Sequence, residues 1–95
     1  MTLILYTRKE CCLCEEMDAI VRAVAADVGA QLTACDVDTD GEWRARYGDE
    51  VPVLFVNGRK AFKYRLTRAA LQRRLAAERR RQTGRGWRTL LGSVR

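Results

Sequence analysis

The order and period of the apolar residues predict an α/β domain with a four-stranded mixed sheet flanked by three helices, in the order β-α-β-α-β-β-α. Three observations carry that expectation. An apolar run over 2–6 leads directly into Cys11-Cys12-Leu13-Cys14 and a helical pattern over 12–28. A second extended stretch over 31–37 follows a glycine, so the intervening helix makes the first two strands parallel. Asn57-Gly58 then separates two further extended stretches, a hairpin signal because both turn residues accept positive φ.

Each element has its own justification. Residues 2–6 are apolar without polar alternation, as in a strand buried on both faces. Over 12–28, Leu13, Met17, Ile20, Val21, Val24 and Val28 fall on one face of a 3.6-residue period, and Gly29 is the stop. In 31–37, Leu32, Ala34 and Val37 are the candidate inward groups, and Cys35 is assigned to the core as a small hydrophobe. Asp38-Thr39-Asp40-Gly41 can cap a short helix over 41–47 in which Trp43 and Tyr47 share a face. Val51 to Val56 and Arg59 to Phe62 form the hairpin. Thr67 N-caps a last helix of about 68–81, with Leu66 and Leu71 as its hydrophobic staple.

Ninety-five residues make one domain, here 1–81, followed by a basic segment 82–95 expected to be flexible. Residues 1–64 hold 8 basic and 11 acidic side chains, a net −3, whereas 65–95 hold 10 arginines and only Glu78, a net +9. No run approaches the roughly 20 apolar residues of a membrane span. Met1 leads straight into the first strand with no signal-peptide pattern, so a cytoplasmic, reducing location is expected. Three of the four cysteines lie within four residues, too clustered for a disulfide framework. Histidine is absent, which removes imidazole as base, metal ligand or pH switch.

A cysteine at the start of a helix meets amide N–H groups that have no intrahelical partner, and the positive end of the helix dipole. Both stabilise a thiolate. With Arg8 and Lys9 nearby and Glu10, Glu15 and Glu16 opposing them, a moderate depression of the Cys11 pKa from about 8.5 is expected. Cys11 is then the exposed nucleophile, and Cys14, one turn deeper, the resolving thiol. Cys12 reads as a loop position, with a tuning role or a third thiol as alternatives.

Tyr6-Thr7-Arg8, Cys11-x-x-Cys14, Val51-Pro52 and Asn57-Gly58 occur in the order and spacing of the glutaredoxins. The Cys-x-Leu-Cys form, Asp36-Val37-Asp38 and Arg46-Tyr47-Gly48 resemble the short bacterial glutaredoxin-like proteins over roughly residues 2–80. The resemblance implies the thioredoxin fold and a cis Val51-Pro52 peptide packed against the Cys-x-x-Cys. It also implies a thiol–disulfide oxidoreductase with Arg8, Val51 and Pro52 in substrate binding. Disulfide-containing proteins or glutathione mixed disulfides are then the substrates. No bound cofactor is expected, and glutathione or a thioredoxin-type reductase supplies electrons. The chain departs from glutathione-using relatives where they carry Gly-Gly after the hairpin; it reads Phe62-Lys63-Tyr64, with Lys63 or Arg65 left to meet a carboxylate.

Other readings stand beside this one. A non-catalytic adaptor of the same fold could dock a partner through its basic segment. A metal or iron–sulfur role lacks a second ligand pair, and no metal site is assigned. Arg79-Arg80-Arg81, Arg85, Arg88 and Trp87 could meet nucleic acid or an acidic surface, although Gly84, Gly86 and Gly92 weigh against a long stable helix.

Overall fold

A computed structural model of the protein describes residues 1–94, with side-chain surroundings for residues 1–81. The readings made for 82–95, as a flexible segment or a Trp87-bearing surface, lie outside those surroundings. The elements are β1 (Thr2–Thr7), α1 (Cys12–Val28), β2 (Gln31–Asp36), α2 (Gly41–Tyr47), β3 (Val53–Val56), β4 (Arg59–Lys63) and α3 (Arg68–Val94). The sheet order is β2-β1-β3-β4, parallel between β1 and β2 and antiparallel elsewhere. This is the thioredoxin fold.

Local chemistry accounts for the element boundaries. Gly29 ends α1 in the left-handed conformation, at φ 70°. Asp40 caps α2, its carboxylate accepting from the Glu42 and Trp43 amides. Asn57 and Gly58 turn the hairpin at φ 48° and 83°. Thr67 Oγ1 accepts from the Ala70 amide at 3.1 Å and starts α3. This last helix is assigned well past the expected end near 81. Residues 68–81 are all Arg, Ala, Leu, Gln or Glu, good helix formers, and with Pro52 the single proline of the chain none follows to stop the helix, which continues through Gly84, Gly86 and Gly92.

The two sheet faces are unequal, which corrects the expectation of a first strand buried on both. Leu3 and Leu5 are fully buried with Leu54 and Val56 beneath α1 and α3, where Met17, Val21, Leu71 and Leu75 complete the core. Ile4 and Tyr6, on the other face, are only half-buried. The reason is cover: that face meets only the seven-residue α2. There Trp43 and Tyr47 do share a face, and both pack on Tyr6, at centroid distances of 5.7 and 4.4 Å. Two β2 assignments are also corrected. Ala34 is exposed because β2 is an edge strand, and Cys35 is half-buried rather than in the core.

Asn57 ties three elements together. Its amide donates to the Thr2 carbonyl at 2.8 Å, and its Oδ1 accepts from the Thr2 amide at 2.9 Å. Its Nδ2 donates to Glu78 Oε1 at 3.2 Å, linking the hairpin to α3. Among the described residues no helix is long and apolar enough to cross a membrane.

Candidate functional site

Strand direction gathers the site at one edge of the sheet. β1 ends at Thr7 and the chain reaches Cys11 through Glu10, a non-glycine residue held at φ 57°. Such a conformation costs about 1–2 kcal/mol and persists only where its surroundings enforce it. β3 runs antiparallel to β1 and pairs Val53 with Tyr6, so Val51-Pro52 arrives at the same edge. The Val51-Pro52 peptide is cis and Pro52 is buried, as the resemblance implies.

Cys11 is the N-cap of α1. Its Sγ accepts the Cys14 amide at 3.2 Å, while its carbonyl accepts the Glu15 amide at 3.0 Å. The sulfur thus takes one of the amides that the first helical turn leaves unpaired. Cys11 is partly exposed, whereas Cys14 is 3% exposed, the outer-and-inner arrangement expected from the spacing. Cys12 is exposed. Burial pushes the Cys35 thiol above its ordinary pKa, so it stays protonated and a poor nucleophile at neutral pH. Among the described residues no group of three or more Cys, Asp or Glu side chains is placed to hold a metal ion.

Arg8 sits beside this loop with most of its donors engaged. Its Nε and Nη2 donate to the two Asp38 oxygens at 3.0 and 3.1 Å, and Nη1 donates to the Gly48 carbonyl at 3.3 Å. The hydrogen bond from Arg8 holds the Asp38 carboxyl below its usual range, and Arg44 adds to it. Two of the five guanidinium hydrogens have no partner among the described residues. Arg8 also lines a cleft of about 310 Å³ that reaches Cys14, with Glu15 and Asp18 opposite. Sequence reading found Arg8 but not its partner: nothing local connects Arg8 to an aspartate 30 residues on.

A larger groove of about 490 Å³ opens between α1 and the segment joining β4 to α3. Leu13, the residue between Cys12 and Cys14, lines its head; Met17, Ile20, Phe62 and Leu66 form its floor. Tyr64 walls it at φ 68°, its amide donating to the Pro52 carbonyl at 2.8 Å. Sequence reading treated Tyr64 only as a departure from Gly-Gly. Of the two cations considered there for a carboxylate, Arg65 is on the groove rim, while Lys63 is shared between Glu50, at 3.4 Å, and the Tyr64 ring, at 5.3 Å.

Residues 2–76 match the family model described as Glutaredoxin-like domain (DUF836). Among solved structures, the structural-genomics protein XcR50 from X. campestris is 30% identical, with 79% of this chain and 96% of that one covered and a TM-score of 0.65. Protein Ne2328 from Nitrosomonas europaea is 33% identical over 74% of this chain and 85% of its own, at a TM-score of 0.61. Thioredoxin 1 from Thermosipho africanus, at 14% identity, shares the fold, with a TM-score of 0.58 over 83% of this chain and 99% of its own. No curated protein matches the chain.

Proposed function

The chain belongs to the glutaredoxin-like domain family, and from that premise we propose that it is a dithiol thiol–disulfide oxidoreductase acting in a reducing, cytoplasmic compartment. The observation that carries this reading is the Cys11 sulfur at the N-cap of α1, accepting the Cys14 amide. A thiolate there gains a charge-assisted hydrogen bond and the favourable end of the helix dipole. Both favour the nucleophilic thiolate over the thiol.

The electron balance is simple. The Cys11 thiolate attacks one sulfur of a target disulfide and expels the other as thiolate, leaving a mixed disulfide. Cys14 gives its proton to solvent and attacks Cys11 Sγ, releasing the second target sulfur as thiolate. The target gains two electrons and the protein holds a Cys11–Cys14 disulfide. Glutathione or a thioredoxin-type reductase returns the two electrons. Val51 and Pro52, at the same sheet edge, and the two unengaged hydrogens of Arg8 contact the substrate.

Turnover of a disulfide substrate tests the roles. Cys11→Ser abolishes reduction, and Cys14→Ser accumulates a mixed disulfide visible by intact-mass measurement under non-reducing conditions. Full activity in Cys11→Ser overturns the assignment. An adaptor of the same fold would show no turnover with either reductant.

A further inference from the structure

Tyr64 carries two local penalties that the fold does not require. It is the one large apolar side chain that is exposed among the described residues, at 43%, and it lies outside the hydrophobic core. Its backbone sits at φ 68°, where a glycine would be unstrained. The Arg65 amide donates to the Lys63 carbonyl at 2.8 Å across it, closing a three-residue turn of the rare positive-φ kind. The Tyr64 amide is in turn fixed to the Pro52 carbonyl at 2.8 Å. An exposed aromatic is therefore displayed on a strained, doubly tied turn beside the residues proposed to hold substrate. Strain persisting in such a place is a mark of function.

The groove it walls has the size of a ligand site, and its floor is hydrocarbon. Leu13, from within the Cys-x-x-Cys, lines one end of it, and Tyr64 ties its wall to the Pro52 carbonyl at 2.8 Å. The rim carries one cation, Arg65, and one anion, Glu16. Glutathione, with two carboxylates, would find a single arginine there, an opposing carboxylate, and no use for the apolar floor. An extended protein segment needs no net charge and offers side chains to bury.

We infer that this groove receives an apolar side chain lying beside the cysteine of a protein disulfide, with Tyr64 as the specificity-determining residue. The inference rests on the proposed redox function and names its substrate class. Burial of one such side chain against Leu13, Phe62 and Tyr64 favours the apolar-flanked substrate by about tenfold in kcat/KM, within the range a hydrophobic pocket supplies.

The test uses the full chain and two peptide disulfides differing only in the residue next to cysteine, leucine in one and serine in the other. Wild type is also assayed with 2-hydroxyethyl disulfide. The wild-type ratio of kcat/KM, leucine over serine, is expected near tenfold; Tyr64→Phe keeps it, and Tyr64→Gly, which relieves the backbone strain and so folds readily, brings it close to one. A wild-type ratio near one, or an unchanged ratio in Tyr64→Gly, overturns the inference while leaving the redox function standing. Failure of wild type to reduce even the small disulfide overturns both.

Discussion

Replacing Asn57 with alanine removes more than a turn residue. Its Nδ2 is the hydrogen-bond donor to Glu78 Oε1 at 3.2 Å, and Glu78 is 5% exposed with no hydrogen bond to Oε2. The nearest cation, Arg81, holds its Nη1 3.9 Å from Oε2. Loss of a hydrogen bond to a buried charge costs about 1.5–3 kcal/mol, and the Thr2 amide loses a further partner at about 0.5–1 kcal/mol. Alanine at φ 48° adds a few tenths more, since asparagine tolerates the left-handed region better. The expected destabilisation is about 2–4 kcal/mol, or a fall in Tm of about 10–30 °C for a domain of this size.

The pH dependence separates this mechanism from simple turn disruption. The Asn57 hydrogen bond is the leading cause that holds the Glu78 carboxyl below its usual range, with Arg81, Arg74 and Arg59 assisting and burial opposing. A folded pKa below the unfolded one contributes stability that is complete above about 4.3 and disappears as pH falls through the folded value. Urea unfolding followed by circular dichroism from pH 7 to 3 should therefore show the Asn57→Ala deficit shrinking below about pH 4. A cycle with Glu78→Gln should give a coupling of about 1 kcal/mol or more at pH 7. Parallel wild-type and Asn57→Ala curves across that range, or additive single variants, would refute the reasoning.

Two further substitutions probe the scaffold. Gly48→Ala places a Cβ 2.5 Å from the Arg44 carbonyl oxygen and 3.3 Å from Arg8 Nη2. Because the first contact is backbone, a loss of about 1–3 kcal/mol is expected in urea unfolding; a neutral result would mean that the end of α2 gives way freely. Leu71→Ala empties a fully buried position where α3 meets the core, and a loss of about 2–5 kcal/mol is expected. A loss under 1 kcal/mol by the same measurement would show that α3 collapses onto the space.

How much of this was legible follows from the range of the interactions. Helix and strand positions rest on period and on capping residues such as Asp40, Thr67 and Gly29, all local signals, and these matched except at the end of α3. Cys11 and Cys14 are local as well, since a helix start defines both. What escaped was set by layers. Ala34 and Cys35 alternate suitably for a strand, yet the edge position of β2 exposes Ala34, and Cys35, level with Tyr6, lies on the face that the seven-residue α2 covers. The Arg8–Asp38 and Asn57–Glu78 pairs join charges or amides 30 and 21 residues apart, with no periodic trace. Tyr64 gave no signal because a non-glycine at positive φ looks like any other tyrosine in a sequence.

The convergence at the site is a consequence of strand direction. With β1 and β2 parallel, the right-handed crossover puts the start of α1 where β1 ends. The antiparallel β3 then enters at that edge, carrying Val51-Pro52, and β4, antiparallel to β3, must finish there, with Lys63 opposite Val53. A register irregularity between Leu54 and Phe55 brings Lys63, rather than its neighbour, to that position. In a strand the side chains alternate, so a one-residue slip would move Tyr64 away from the Pro52 carbonyl and turn Phe62 out of the groove. The Asn57-Gly58 turn and that irregularity together therefore decide which residue meets the Pro52 carbonyl at the far end of the hairpin.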